Sequence, residues 1–154
     1  EGRTVKIGNR GIKTAMMSVL LGIVYASFLE WWIHKELFHV KGRNKDSVFA
    51  YHLRDHHAVA KKNNYEDIRM SSIEIGGLLA LSLLHLPIFF LSPLFYVSIC
   101  LYAIAFIVLH NYGHRNPGWA KKYQPWHHDH HMKNPNTNWN VVLPVADWIM
   151  RTNK

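Results

Sequence analysis

Two long apolar stretches dominate the chain and predict helices that cross a membrane. The first covers residues 14–33 and is interrupted only by Ser18, Ser27 and Glu30. A spanning helix needs about 20 consecutive apolar residues, so this stretch is long enough for one crossing. The second stretch, residues 73–110, is far longer than one crossing requires.

The second stretch contains helix breakers near its middle, at Pro87 and at the pair Ser92-Pro93. Proline inside a helix removes a hydrogen bond and clashes with the preceding turn. We therefore predict two helices, about 73–91 and 94–112, that form a hairpin across the membrane. The pattern predicts an all-α integral membrane protein with about three transmembrane helices, one span plus a helical hairpin, in a single domain of residues 1–154.

Ten of the 12 histidines fall into four short clusters that lie at the ends of these stretches, between them or after them. The clusters are His34 and His39; His52, His56 and His57; His110 and His114; and His127, His130 and His131. Because the hairpin returns to the face that it left, all four clusters should meet on one side as a histidine-rich helical cap. We interpret His85 as a structural or interfacial residue remote from this cap, and His128 as a residue beside the ligands or exposed.

The spacing within the clusters suits metal ligation. Residues three and four apart share one face of an α-helix. Three groups should therefore each converge: His110 with His114; His127 with His130 and His131; and His52 with His56. His34 and His39 lie about 140° apart around a regular helix, so this pair, like the adjacent His56 and His57, should serve two metals or lie at a fraying helix end. One ion cannot hold ten imidazoles, so the sequence predicts two metals.

Imidazole suits zinc, copper, iron and nickel, so the ligand type does not choose the metal. Neutral imidazoles leave the charge of two divalent ions uncompensated, and nearby carboxylates would reduce it. Asp55 and Asp129 directly precede histidine pairs, and Glu30 lies one turn before His34. Each of these three acids is a candidate to orient a ligand imidazole, or else is an ordinary solvated acid.

The formal net charge is +8, but the basic residues lie in linkers rather than along one helix face, and no nucleic-acid motif is present. We therefore expect no nucleic-acid partner. Residues 41–69 hold seven Lys and Arg, the stretch after His114 holds six and the hairpin turn holds none, so the histidine face should be cytoplasmic. Four basic residues before the first span oppose this orientation, which we explain by a missing upstream span or an interfacial N-terminus: Arg3, Lys6, Arg10 and Lys13. The single Cys100 excludes a disulfide within the chain and a cysteine-ligated cluster.

At these clusters the sequence resembles the membrane fatty acid hydroxylase and sterol desaturase superfamily of di-iron enzymes. The family pattern is an ordered series of His-x3-4-His, His-x2-3-His-His, His-x3-His and His-x2-3-His-His, and the resemblance covers roughly 30–154. The ending is also similar, with Asn138-Trp139, Pro144, Asp147-Trp148 and Thr152. The resemblance implies that the ten clustered histidines bind two Fe ions, which zinc can replace in purified protein. It also implies that O2 is the cosubstrate, and that an acyl-chain or sterol-like membrane lipid is hydroxylated or desaturated.

Some family members carry a fused b-type cytochrome domain marked by His-Pro-Gly-Gly, a motif that this sequence lacks. The resemblance therefore implies a separate electron-donor protein, either a b-type cytochrome or a ferredoxin with its reductase. Carotenoid hydroxylases of the same superfamily are an alternative, although their third box has one more spacer residue than the segment from His110 to His114.

Two other classes stay open from the residues alone. A zinc-dependent membrane hydrolase needs a carboxylate general base, and Glu36 is a poor match to the His-Glu-x-x-His pattern. A metal-binding or transport protein without chemistry should place ligands inside the spans, where only His85 and Glu74 are candidates.

Overall fold

The computed structural model describes residues 8–67 and 71–154, and every regular element in these two ranges is helical. The α-helices are α1 (Asn9–Trp32), α2 (Ala58–Lys62), α3 (Ser72–Leu84), α4 (Leu86–Leu91), α5 (Pro93–Arg115), α6 (Pro117–Tyr123), α7 (Pro125–Met132) and α8 (Val145–Ile149). Two π-helical segments, Ile33–Val40 and His52–His57, and a 3-10 turn, Lys41–Arg43, complete the helical elements of these ranges. The predicted all-α class is confirmed. Arg3, Lys6 and Arg69, which entered the orientation argument, lie outside the described residues.

Three helical stretches are long and apolar enough to cross a membrane: Asn9–Arg43, Ser72–Leu91 and Pro93–Arg115. They confirm the prediction of one span plus a hairpin and make this a membrane protein. The first stretch continues well past Ile33, where the apolar pattern stops, because the chain stays helical through the first histidine cluster. That cluster is therefore part of the span-bearing helix rather than of a following loop.

The helices of the hairpin are interrupted at the two positions that its prolines predict. Helix α3 begins at a capping box in which Ser71 accepts a hydrogen bond from the Glu74 backbone and the Glu74 carboxylate accepts one from the Ser71 backbone. The helix ends at His85, and Pro87 lies in the first turn of α4. Pro93 then opens α5, in the first turn, where its missing N–H costs nothing. The hairpin thus leaves the histidine side along α3 and returns to it along α5.

Helices α1 and α5 approach each other closely at Gly22. A Cβ at this position would lie 2.8 Å from the backbone oxygen of Phe95, a distance that real Cβ atoms do not adopt. Nearer the histidines, Ala26 and Tyr102 pack with Val142 from the C-terminal segment. This packing joins α1 and α5 to the C-terminal segment.

The C-terminal segment folds back over the spans; buried Asp147 braces it from within, and Glu30 ties it to α1. Asp147 accepts hydrogen bonds from the backbone N–H of Trp139 (3.0 Å) and of Asn140 (2.8 Å), and from the Thr152 hydroxyl (2.6 Å). Glu30 of α1 accepts one from the backbone N–H of Val141 (2.6 Å). The loop between α7 and α8 is therefore fixed against α1.

Candidate metal centre

Nine buried histidines form two adjacent clusters. Each histidine contributes one ring nitrogen, and within a cluster these nitrogens all lie within 4.8 Å of one another. The first cluster is His34, His39, His52, His57 and His130, and the second is His56, His110, His114 and His131. The tenth predicted histidine, His127, is fully buried beside the second cluster, with its Nε2 3.3 Å from Nε2 of His114. The fold thus brings all four sequence clusters to one place.

The π-helical segments decide which histidines share a cluster. A π-helix forms hydrogen bonds between residues five apart, so such residues lie above one another. His34 and His39 are five apart within the first π segment, and both belong to the first cluster. The expectation that this pair serves two metals or lies at a fraying end is wrong, because it assumed a regular α-helix.

The same geometry rearranges the second sequence cluster. His52 and His57, five apart in the second π segment, both lie in the first cluster. His52 and His56 share a face as predicted, with ring centroids 5.1 Å apart, but His56 lies in the second cluster, so the two do not belong to one metal site. The separation of the adjacent pair His56 and His57 is as predicted.

Two ordinary α-helices supply the other histidines. His110 and His114 lie one turn apart on α5 and both belong to the second cluster, as predicted. On α7, however, His130 belongs to the first cluster and His131 to the second, so the predicted convergence of the α7 histidines on one region is only partly correct. Helix α7 lies between the two clusters and contributes to both.

Backbone carbonyls orient three of the imidazoles. Nδ1–H of His34 donates to the carbonyl of Trp139 (2.5 Å) and Nδ1–H of His114 to that of Tyr65 (2.7 Å). Nδ1–H of His130 donates to the carbonyl of Thr137 (2.7 Å). A carbonyl only accepts, so Nδ1 carries the proton and the unprotonated Nε2 of each ring faces its cluster. Such outer contacts are typical of histidines that ligate metals.

The nitrogen atoms at the cluster centres fit a bound cation. Nε2 of His130 lies 3.2 Å from Nε2 of both His39 and His57, although His130 has no proton on that atom. In the second cluster both ring nitrogens of His131 are buried without a hydrogen-bond partner. Converging lone pairs and unpartnered buried nitrogens are unfavourable in an apolar interior, and a metal ion at each cluster would satisfy them.

Four imidazoles outside the spans are also in the charge state that metals require. Burial, reinforced by neighbouring imidazoles, lowers the pKa of His52, His57 and His131 well below the usual histidine value. Burial likewise lowers the pKa of His130 to about 4. These rings are therefore neutral at pH 7, with a lone pair available to a metal.

Two carboxylates contact the clusters, and neither was predicted from the sequence to orient an imidazole. Asp67 Oδ2 lies 2.5 Å from Nδ1 of His56, and Glu74 Oε1 lies 3.6 Å from Nδ1 of His52. Asp67 follows a turn in which Tyr65 adopts a positive φ of 83°, and no helical spacing links it to His56. Glu74 could have been placed near the cap from its Ser-x-x-Glu capping pattern, which marks the start of a helix.

The predicted orienting roles of Asp55 and Asp129 are wrong. Asp55 is exposed and forms an ion pair with Arg54 at 2.6 Å. Asp129 pairs with Lys133 at 2.8 Å and lies 3.5 Å from the ring of His128, which is outside both clusters. Each acid directly precedes histidines that face the clusters. Because neighbouring residues on a helix point in different directions, the acid faces the surface.

Glu30 is partly buried but does not orient an imidazole directly, contrary to its predicted role. Besides Val141, it accepts hydrogen bonds from the Tyr102 hydroxyl (2.7 Å) and the Asn140 side chain (3.0 Å). These bonds fix the loop that carries the Trp139 carbonyl, and this carbonyl holds His34. Glu30 therefore acts on the cluster through the loop.

An elongated cavity of about 320 Å³ lies between α1, α3 and α5 and reaches the clusters. His34, His52 and His110 line it on the histidine side, and His85 lines it at the α3–α4 junction. Most of its other lining residues are apolar, among them Leu81, Ile99 and Phe106. The volume lies within the range of small-molecule sites, roughly 300–1,000 Å³. His85 is outside both clusters, as predicted.

Comparison with known families gives a match to the family model described as fatty acid hydroxylase, over residues 19–152. Comparisons with curated proteins and with solved structures gave no match. The matched range includes every histidine of the two clusters and the buried Asp147 that holds the C-terminal loop. The chain therefore belongs to the fatty acid hydroxylase family, within the fatty acid hydroxylase and sterol desaturase superfamily.

Proposed function

We propose that this protein is an O2-dependent di-iron enzyme that hydroxylates or desaturates an acyl-chain or sterol-like membrane lipid. One observation carries the proposal: two adjacent clusters of buried imidazoles lie at the end of an apolar cavity in a membrane protein of the fatty acid hydroxylase family. In this proposal the nine clustered histidines and His127 are the metal ligands.

Two iron ions held by these residues would supply the activation of O2 that oxidation of an unactivated C–H bond requires. The protein contributes rigid positioning. The carbonyls of Trp139, Tyr65 and Thr137 each hold one imidazole in a fixed tautomer. Rings so held need no reorganisation when a reaction begins, which is the main contribution of protein to metal-assisted chemistry.

Aromatic rings shield the imidazoles that face the cavity. Phe38 stacks on His52, with ring centroids 4.8 Å apart, and Phe106 stacks on His110 at 5.4 Å. Both phenylalanines also line the cavity, so they separate the clusters from solvent and confine a substrate beside them. Exclusion of water protects reactive intermediates from side reactions.

We further propose that the clusters lie on the cytoplasmic face and receive electrons from a separate b-type cytochrome or ferredoxin with its reductase. Exposed basic residues surround the histidine side, including Lys61, Lys62, Lys121 and Lys122. Basic residues are enriched on the cytoplasmic side of membrane proteins, which supports this orientation.

The zinc-hydrolase alternative receives less support from the geometry. Glu36, the general base it would need, is partly exposed and pairs with Lys35 at 3.2 Å rather than facing the cavity. The proposed oxygenase needs no such base.

Lipid profiling of cells that express the protein under isotopically labelled O2 tests the proposal. We expect a lipid that carries a labelled hydroxyl group, or a new double bond that forms only when O2 is present. His130→Ala should abolish this product and His128→Ala should retain it, because only His130 belongs to a cluster. Oxygen derived from water, or hydrolysed lipids in place of oxidised ones, would contradict the proposal.

A further inference from the structure

The cavity runs along the helix axes from the histidine clusters into the membrane. Its lining residues on α3 recur on one face from the first turn to the last, at Ile73, Gly77, Leu81 and His85. The start of α3 lies beside the first cluster, because Glu74 is 3.6 Å from His52. A helix rises about 1.5 Å per residue, so His85 lies about 16 Å further from that cluster along the axis.

His85 lines this cavity at the end away from the clusters, and Tyr25 of α1, which does not itself line the cavity, holds the His85 ring by a hydrogen bond. The hydroxyl of Tyr25 on α1 lies 2.8 Å from Nε2 of His85, and its ring contacts Phe95 of α5 at 5.7 Å between centroids. The pair therefore joins all three helices at one level. One turn further along α1, Gly22 lies so close to α5 that a Cβ would meet the backbone of Phe95 at 2.8 Å. Helices α1 and α5 thus leave no space between each other beyond the pair.

The end wall presents no free nitrogen to a ligand. Nδ1–H of His85 donates to the carbonyl of Leu81 (2.7 Å), so Nε2 is the acceptor and the Tyr25 hydroxyl is its donor. The nearby Ser82 hydroxyl also donates within its own helix, to Leu78. A wall whose polar atoms are already satisfied suits the apolar end of a chain better than a polar head group.

We propose that His85, held in place by Tyr25, forms the stop against which the methyl end of a straight apolar chain rests. The depth of the cavity then determines which carbon, counted from the methyl end, lies at the histidine clusters. This inference rests on the proposed function for what happens to that carbon. Tyr25 and His85 are specificity-determining residues, and they lie too far from the clusters to touch the reacting atoms.

Two neighbouring glycines of α3 provide a matched test. A Cβ at Gly76 or at Gly77 would meet nothing within 4 Å, so neither backbone is crowded. Gly77 lines the cavity and Gly76 does not. Gly77→Leu therefore fills the cavity between the clusters and the stop, whereas Gly76→Leu adds the same side chain outside the cavity.

Binding of a graded series of straight-chain fatty acids is measured with the purified full-length chain under nitrogen, by displacement of a fluorescent fatty acid. Gly77→Leu should lower affinity for the longest chain that wild type holds by about tenfold, the ratio expected when two methylene groups no longer fit. Gly76→Leu should match wild type. Identical length profiles for Gly77→Leu and wild type would overturn the proposal.

Removing the stop should have the opposite effect. His85→Ala and the milder Tyr25→Phe should extend the bound range towards longer chains and move oxidation further from the methyl end. If His85→Ala does not fold, the Gly77→Leu comparison decides. Binding is measured without turnover, so an unchanged length profile with intact oxidation overturns only the stop, whereas a shifted profile without lipid oxidation overturns only the proposed function.

Discussion

At the scale of single residues, the atom that contacts Nδ1 decides how each imidazole faces its cluster. His34, His114 and His130 donate to backbone carbonyls, whereas His56 contacts the Asp67 carboxylate at 2.5 Å. A carboxylate does more than a carbonyl, because its charge raises the basicity of the ligand as well as fixing its orientation. Asp67 is therefore the acid whose removal should affect the metal centre most directly.

Asp67→Asn keeps the size of the side chain and removes its charge. We expect metal affinity or activity to fall about 10- to 100-fold, the usual effect of losing such a partner. The measurement is iron retention during titration with a chelator, together with product formation.

Asp55→Asn is the matched control, because Asp55 is exposed and pairs with Arg54 rather than with an imidazole. It should retain iron like wild type. If the two variants lose iron equally, the assignment of Asp67 as the orienting acid is incorrect.

The sequence identified the histidines but not their outer partners, for a physical reason. A histidine cluster is a local pattern, and local spacing survives in any helix. The contact between His56 and Asp67 depends on the turn at Tyr65. The positive φ of Tyr65 could not be predicted from the helical spacing of the histidines. Adjacency to a histidine pair made Asp55 and Asp129 attractive candidates, but neighbours on a helix point in different directions.

At the scale of helical elements, the two π segments explain why the clusters are mixed. Each contains a histidine pair five residues apart, and the wider turn aligns both pairs on the first cluster. With the angular step of an α-helix, the spacing of His34 and His39 indicates divergence. A five-residue spacing repeated in two clusters was the available signal for a π-helix. The extent of the spans and the hairpin break were predictable, because they follow from apolar length and proline positions.

The loop between α7 and α8 should be the element most sensitive to a single substitution, because Glu30 holds it against α1. Glu30→Gln replaces one acceptor oxygen by an amide donor, so at least one of the bonds from Val141, Asn140 and Tyr102 must break. We expect a loss of about 1–3 kcal/mol in stability, the usual cost of leaving a buried polar group unpaired. Thermal unfolding in detergent measures this loss.

A second readout separates the loop's role from simple destabilisation. Because the loop carries the Trp139 carbonyl that holds His34, Glu30→Gln should also release iron at lower chelator concentration. Glu36→Gln, a change at a partly exposed ion pair, should affect neither measurement. Superimposable unfolding and iron-release curves for Glu30→Gln and wild type would show that the loop does not support the site.

At the scale of the whole molecule, one span and a returning hairpin suffice to collect histidines from distant parts of the chain. The ends of α1 and α5 meet on one side, and the segments that follow them complete both clusters. The sequence predicted this gathering from topology alone. The sequence did not predict the cavity, because the space between α1, α3 and α5 depends on the angles and distances at which these helices pack.

The proposed orientation makes a topological prediction. In a Cys100→Ser background, Arg54→Cys on the cap and Leu91→Cys at the hairpin turn should react with a membrane-impermeant thiol reagent from opposite sides. Both positions are exposed, Arg54 beside the clusters and Leu91 with 87% of its surface accessible. We expect Arg54→Cys to react only from the cytoplasmic side. Labelling of both variants from the same side would contradict the hairpin crossing.

The measurement that tests the central claim most directly is the metal content of protein made in iron-replete cells. Two clusters of buried imidazoles predict about two metal ions per chain, counted as iron plus any zinc that has replaced it. His130→Ala should lower this number and His128→Ala should not, because only His130 belongs to a cluster. A reproducible value near one metal per chain in the wild-type protein would contradict the dinuclear centre.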